Sequence, residues 1–136
     1  MVRVTIPATL TKAEEDQWVA EMVRRLERHR RAAEIDVMQR AVELAHRYRL
    51  PAPGEVRWVD NQRFRWGSCT PVDGTIRISS RVAGFPAWVV DYVLVHELAH
   101  LEVPLHDRRF WDLVARYPRS ERARGYLLAK ESEATA

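Results

Sequence analysis

Val95-His96-Glu97-Leu98-Ala99-His100-Leu101-Glu102-Val103-Pro104-Leu105-His106 sets the frame for the rest of the chain. It is an HExxH pattern followed, after five intervening residues, by a third histidine. Residues four apart on an α-helix lie one above the other, so His96 and His100 share a face and can aim imidazole nitrogens at one cation. Zinc favours such nitrogen donors, and a catalytic zinc site leaves one position for water. Glu97 stands one residue round the helix from His96, placed to take a proton from that water and not to bind the metal. On a continuous helix His106 would lie about 9 Å beyond His100 and on another face. Pro104 ends the helix first, because it lacks an N–H and disfavours helix at Val103. The chain can then fold His106 back to the ion. The expected metal ligands are therefore His96, His100 and His106, the cofactor is Zn2+, and the catalytic carboxylate is Glu97.

The residues before the motif, Trp88-Val89-Val90-Asp91-Tyr92-Val93-Leu94-Val95, are almost wholly apolar. A helix that is apolar on every side is buried. Two histidines and a glutamate inside it are costly unless their polar atoms are satisfied, and a metal would satisfy the histidines.

The 136 residues fit one domain, 46% apolar and therefore globular. The net charge is only +3, carried by 20 arginines and two lysines. That leaves a nucleic-acid surface open as a partner, although base composition favouring arginine codons is the preferred reading. The single cysteine, Cys69, excludes an internal disulfide and fits a reducing compartment. No apolar run is long enough for a membrane span. The N-terminus shows no signal-peptide core. The expectation is a cytoplasmic protein with no membrane attachment; the sequence leaves its oligomeric state open.

The chain divides into segments 1–50, 55–80, 86–117 and 118–136. Val2, Val4 and Ile6 alternate with polar residues as a strand would, up to Pro7. Thr11 and Glu14 form a capping box for a helix with Trp18, Val19, Met22, Val23 and Leu26 as its apolar stripe. Arg28-His29-Arg30-Arg31 reads as its solvated end. A second helix starts near Glu34 or Asp36, with Ile35, Met38, Val42, Ala45 and Tyr48 inward, and stops before Pro51. His29 and His46 read as surface residues. After the turn Pro51–Gly54, Val56, Trp58 and Phe64 begin strand-like segments. Asp73-Gly74 marks a hairpin, with Thr75–Ser79 returning as an exposed edge able to pair with an extended substrate. Gly67 allows a bulge or a close approach. Cys69 lies in no catalytic pattern and reads as a small buried residue. Pro86 suits the first turn of the motif helix. Asp107–Arg116 is a short helix presenting Phe110, Trp111 and Val114, stopped by Pro118. Ser120 and Glu121 open a last helix with Tyr126 and Leu127 inward; Gly125 weakens it and the tail frays from Lys130.

Three stretches carry a family resemblance: Arg65-Trp66-Gly67-Ser68-Cys69, Asp91 to Leu101, and His106-Asp107-Arg108-Arg109-Phe110-Trp111. In order and spacing they resemble the YgjP-like metallopeptidases, and more distantly the SprT-like and WLM proteases. The resemblance implies an α+β, small zincin-like domain. A short mixed or antiparallel sheet would pack on a buried HExxH helix, with helices N-terminal to it. It implies the same three ligands and the same carboxylate, and a peptide or protein substrate.

The function expected is zinc-dependent peptide hydrolysis, with Glu97 moving the proton and Arg65, Tyr92 or Tyr117 stabilising the oxyanion. The metzincin pattern fails, since the only methionines are Met1, Met22 and Met38. A gluzincin reading would need a glutamate such as Glu121 as third ligand, and His106 fits better. A metal-dependent endoribonuclease of the YbeY type shares the histidine spacing but has glycine where Glu97 stands. A non-catalytic zinc module is the remaining alternative.

Overall fold

A computed structural model of the chain describes residues 10–60 and 65–135. The strand expected at Val2–Ile6 and the one at Phe64 lie outside them. The elements run α1 (Lys12–Ala33), α2 (Val37–Tyr48), β1 (Glu55–Val59), β2 (Gly67–Thr70), β3 (Thr75–Ser79), α3 (Ala87–His100), α4 (Arg108–Val114) and α5 (Ser120–Thr135), with a 3-10 turn at Ser80–Gly84. No helix among the described residues is long and apolar enough to cross a membrane.

The expected hairpin forms between β2 and β3, antiparallel from Gly67↔Ile78 to Thr70↔Thr75. Gly74 turns it with φ 73°, a left-handed conformation that glycine adopts without a side-chain clash. Its N–H donates to Thr70 O, and its own carbonyl accepts from Gly54 N at 2.9 Å. Asp73 Oδ1 accepts from Thr75 N. The sheet order is β1-β3-β2, with β1 parallel to β3. Thr75–Ser79 is therefore the central strand, not the exposed edge expected of it. Ile76 and Ile78 on one face and Thr75 and Ser79 about them are all buried, as a strand paired on both sides requires. Arg77 gave the strand its half-exposed look, but its guanidinium folds over to donate to Thr70 Oγ1. Among the described residues β1 and β2 are the outer strands of the sheet.

Thr11 caps α1, its Oγ1 accepting from Glu14 N as the sequence pattern requires. The apolar stripe of α1 is only partly covered: Trp18, Val19 and Met22 are half-buried, Val23 and Leu26 exposed. Only Ala32, near the end that meets the 3-10 turn, is buried. Asp36 caps α2 by accepting from Gln39 N. Its inward face is Val37, Ala41, Leu44 and Ala45, rotated from the stripe expected, so that Val42 is exposed. Small alanines supply half of that face, letting α2 approach α3 closely. Arg40 then forms a two-point ion pair with Asp91 of α3, Nε–Oδ1 2.7 Å and Nη2–Oδ2 2.6 Å.

α3 is buried along nearly its whole length, from Val89 to Val95 and again from Glu97 to Ala99. Asp107 caps α4 through Phe110 N, and Phe110, Leu113 and Val114 enter the core. α5 continues to Thr135, where fraying from Lys130 was expected. Two sets of contacts hold it: Tyr126 meets the rings of Phe85 and Trp88 edge-on, and Trp66 Nε1 donates to Glu131 Oε1 at 3.0 Å. Such tertiary contacts outweigh weak local propensity.

Candidate metal centre

α3 carries His96, Glu97 and His100 in its last two turns and stops at His100. The chain turns within the next few residues. Val103 N–H still donates to Ala99 O, and Pro104 prevents continuation. The turn presents the Val103 carbonyl to His100 Nδ1 at 3.0 Å. Since a carbonyl only accepts, Nδ1 carries the proton and Nε2 keeps its lone pair, the tautomer a metal needs. His106 comes back to the same point, its Nε2 2.8 Å from His100 Nε2. One nitrogen from each of His96, His100 and His106 lies within 4.8 Å of the others, a group that could hold a metal ion. Glu121, weighed above as a third ligand, is not part of it. Phe110 supports the rings from below, stacked on His100 at 4.2 Å between ring centres and edge-on to His96.

The surroundings of His96 and His100 favour the neutral imidazole. Burial pushes the His96 imidazole down to about 3, and the neighbouring His100 and His106 add to the effect. Burial likewise lowers His100. A neutral imidazole is the form that donates to a cation. Three close nitrogens, with one tautomer already fixed, make a donor set suited to zinc.

Glu97 packs against β2 and lines the same cleft as the three histidines. It is 5% exposed. Burial raises its carboxyl to about 8, opposed by the charge of Arg65. The close approach expected at Gly67 is to this side chain: a methyl added there would stand 3.1 Å from Glu97 Cγ and from Val93 Cγ1.

A cleft of about 630 Å³ opens over the histidines and Glu97. Arg65 and β2 form one wall, Tyr92 and Val93 of α3 the back, and α5 the other wall. Of the oxyanion candidates, the fold brings Arg65 and Tyr92 to the cleft. It takes Tyr117 away: its hydroxyl donates to Trp88 O at 2.8 Å, and burial raises it to about 12. The thiol of Cys69, half-buried in the β2 wall, is pushed up to about 11 by burial and then by the Glu97 charge, consistent with a packing role. His29 meets Asp60 and His46 is exposed, both away from the centre.

Sequence reasoning missed the α5 wall. Arg124, Leu127, Leu128 and Glu131 all face the cleft. Their spacing of three, four and seven was the available signal, hidden because Gly125 and the polar tail argued for a short helix.

Two solved structures share this architecture at low sequence identity. The metallopeptidase zymogen abylysin of Pyrococcus abyssi superposes with a TM-score of 0.60 at 23% identity, over 68% of this chain and 91% of that one. The metallopeptidase zymogen jannalysin of Methanocaldococcus jannaschii gives 0.59 at 16% identity, over 71% and 97%. No curated protein matches the chain. The sequence pattern of one family spans residues 1–129, nearly the whole chain, and by that match the protein belongs to the YgjP-like metallopeptidase domain family.

Proposed function

We propose that the protein hydrolyses peptide bonds with zinc held by His96, His100 and His106, and with Glu97 as general base. The observation that carries this reading is the position of Glu97. It is a buried carboxylate one helix residue from a three-imidazole group, at the floor of a cleft open to a peptide. Zinc in that set supplies Lewis acidity toward a carbonyl oxygen and acidifies water. The residues of the chain do the rest. Glu97, with its proton affinity raised by burial, accepts the proton of the attacking water and delivers it to the leaving amine. Arg65 and Tyr92, which line the cleft, are the candidates to stabilise the charge that develops on the carbonyl oxygen. β2, an outer strand of the described sheet that borders the cleft, would offer main-chain groups to an extended substrate.

Glu97→Gln tests the mechanism. Turnover of a generic peptide library should disappear while bound zinc, read by mass spectrometry, stays near one per chain. Turnover that persists in the variant overturns the role given to Glu97. RNA cleavage that survives Glu97→Gln but not His100→Ala would favour the ribonuclease reading instead.

A further inference from the structure

The α5 wall of the cleft is chemically uneven. Glu131 is held at the rim by Trp66. Leu127 and Leu128 form an apolar stretch below it. Arg124 is exposed and lines the cleft one helical turn before Leu127 and Leu128. Its guanidinium sits 4.2 Å from the ring centre of Trp111, and Trp111 in turn touches the rings of His96 and His106. A guanidinium stacked on an aromatic face is fixed in orientation yet keeps its N–H fork available. Arg124 makes no hydrogen bond or ion pair among the described residues. An exposed cation oriented by an aromatic ring, beside an apolar stretch on the cleft wall, is a place for an anionic substrate group.

We infer that Arg124, stacked on Trp111, is the specificity-determining residue of the cleft and selects peptides carrying a carboxylate next to the scissile bond. This rests on the peptidase reading above. Two groups supply that chemistry: an aspartate or glutamate side chain, or the C-terminal carboxylate itself. The fork of the guanidinium accepts either in a two-point contact.

Three peptides of otherwise equal sequence separate the sources. One carries glutamate and an amidated C-terminus, one glutamine and a free C-terminus, one glutamine and an amidated C-terminus. Binding is read by fluorescence polarisation on the Glu97→Gln protein, and cleavage as kcat/KM on the active enzyme. A carboxylate-bearing peptide should be favoured over the neutral one by about tenfold in both. Arg124→Gln should bring that ratio to about one, and Arg124→Lys should retain part of it. Preference confined to the glutamate peptide assigns a side-chain subsite. Preference confined to the free terminus assigns a carboxypeptidase-like register. Binding with no preference, or a preference unchanged in Arg124→Gln, overturns this inference and leaves the peptidase reading standing. Failure to bind or cleave any of the three and of the generic library overturns both.

Discussion

Gly67 of β2 and Glu97 of α3 face each other so closely that a single methyl at Gly67 would stand 3.1 Å from Glu97 Cγ. The carboxylate is thus positioned by backbone on one side and by its own helix on the other. Gly67→Ala should push Glu97 aside by a few tenths of an ångström. Proton transfer depends steeply on such placement, so kcat should fall about tenfold. Zinc content should not change, because the nearest atoms to a methyl there belong to Glu97, Val93 and the Arg77 carbonyl and not to a histidine. An unchanged kcat would mean that Glu97 is free to relax without cost.

His106 sits on the exposed turn after Pro104, whereas His96 and His100 belong to the buried helix. The proposed third ligand therefore lies on a segment that contributes little to the core. In metal-free protein His106→Ala should leave Tm within about 1 °C of the parent, as surface substitutions usually do. Adding zinc should raise Tm of the parent by mass action, and the variant should lose most of that rise. A variant that keeps the full rise would remove His106 from the ligand set.

The centre was legible because its signals are local. A spacing of four, a proline and a third histidine fix where the nitrogens must go. The hairpin was legible for the same reason: Asp73-Gly74 and the alternation of Thr75–Ser79 lie within ten residues. What failed involved partners distant in sequence. Nothing within Thr75–Ser79 says that β1 will pair on its far side, so a central strand looked like an edge. Val42 looked as good a core residue as Leu44 until α3 chose the face of α2. α5 looked short because its stabilising contacts, Trp66, Phe85 and Trp88, lie more than thirty residues upstream.

Arg40 and Asp91 join α2 to the metal helix five residues before His96. Asp91 is buried, while Arg40 remains about two-fifths exposed and has Glu43 as a second partner. Removing one member of a fully buried pair costs about 3–5 kcal/mol, and the exposure here reduces that. Asp91→Asn should destabilise the fold by about 2 kcal/mol in urea unfolding, with the m-value unchanged. A loss below about 0.5 kcal/mol would class the pair with ordinary surface bridges.

Gly125 is the weak point of α5 by propensity and yet has no packing reason to be glycine. It does not adopt positive φ, and a Cβ built on it meets nothing within 4 Å. Glycine in a helix interior costs about 0.5–1 kcal/mol relative to alanine, mostly through the freedom it has when unfolded. Gly125→Ala should therefore raise Tm by about 2–4 °C in a chain of this size. The same substitution tests the extent of α5. If the helix runs to Thr135, alanine adds helicity through its middle and the melting curve shifts as one transition. If the chain beyond Gly125 were unstructured in solution, alanine would sit near a helix end, where its advantage shrinks, and Tm would not move. That second result would also remove Leu127, Leu128 and Glu131 from the cleft wall, since only a continuous helix keeps them on the face that Arg124 begins.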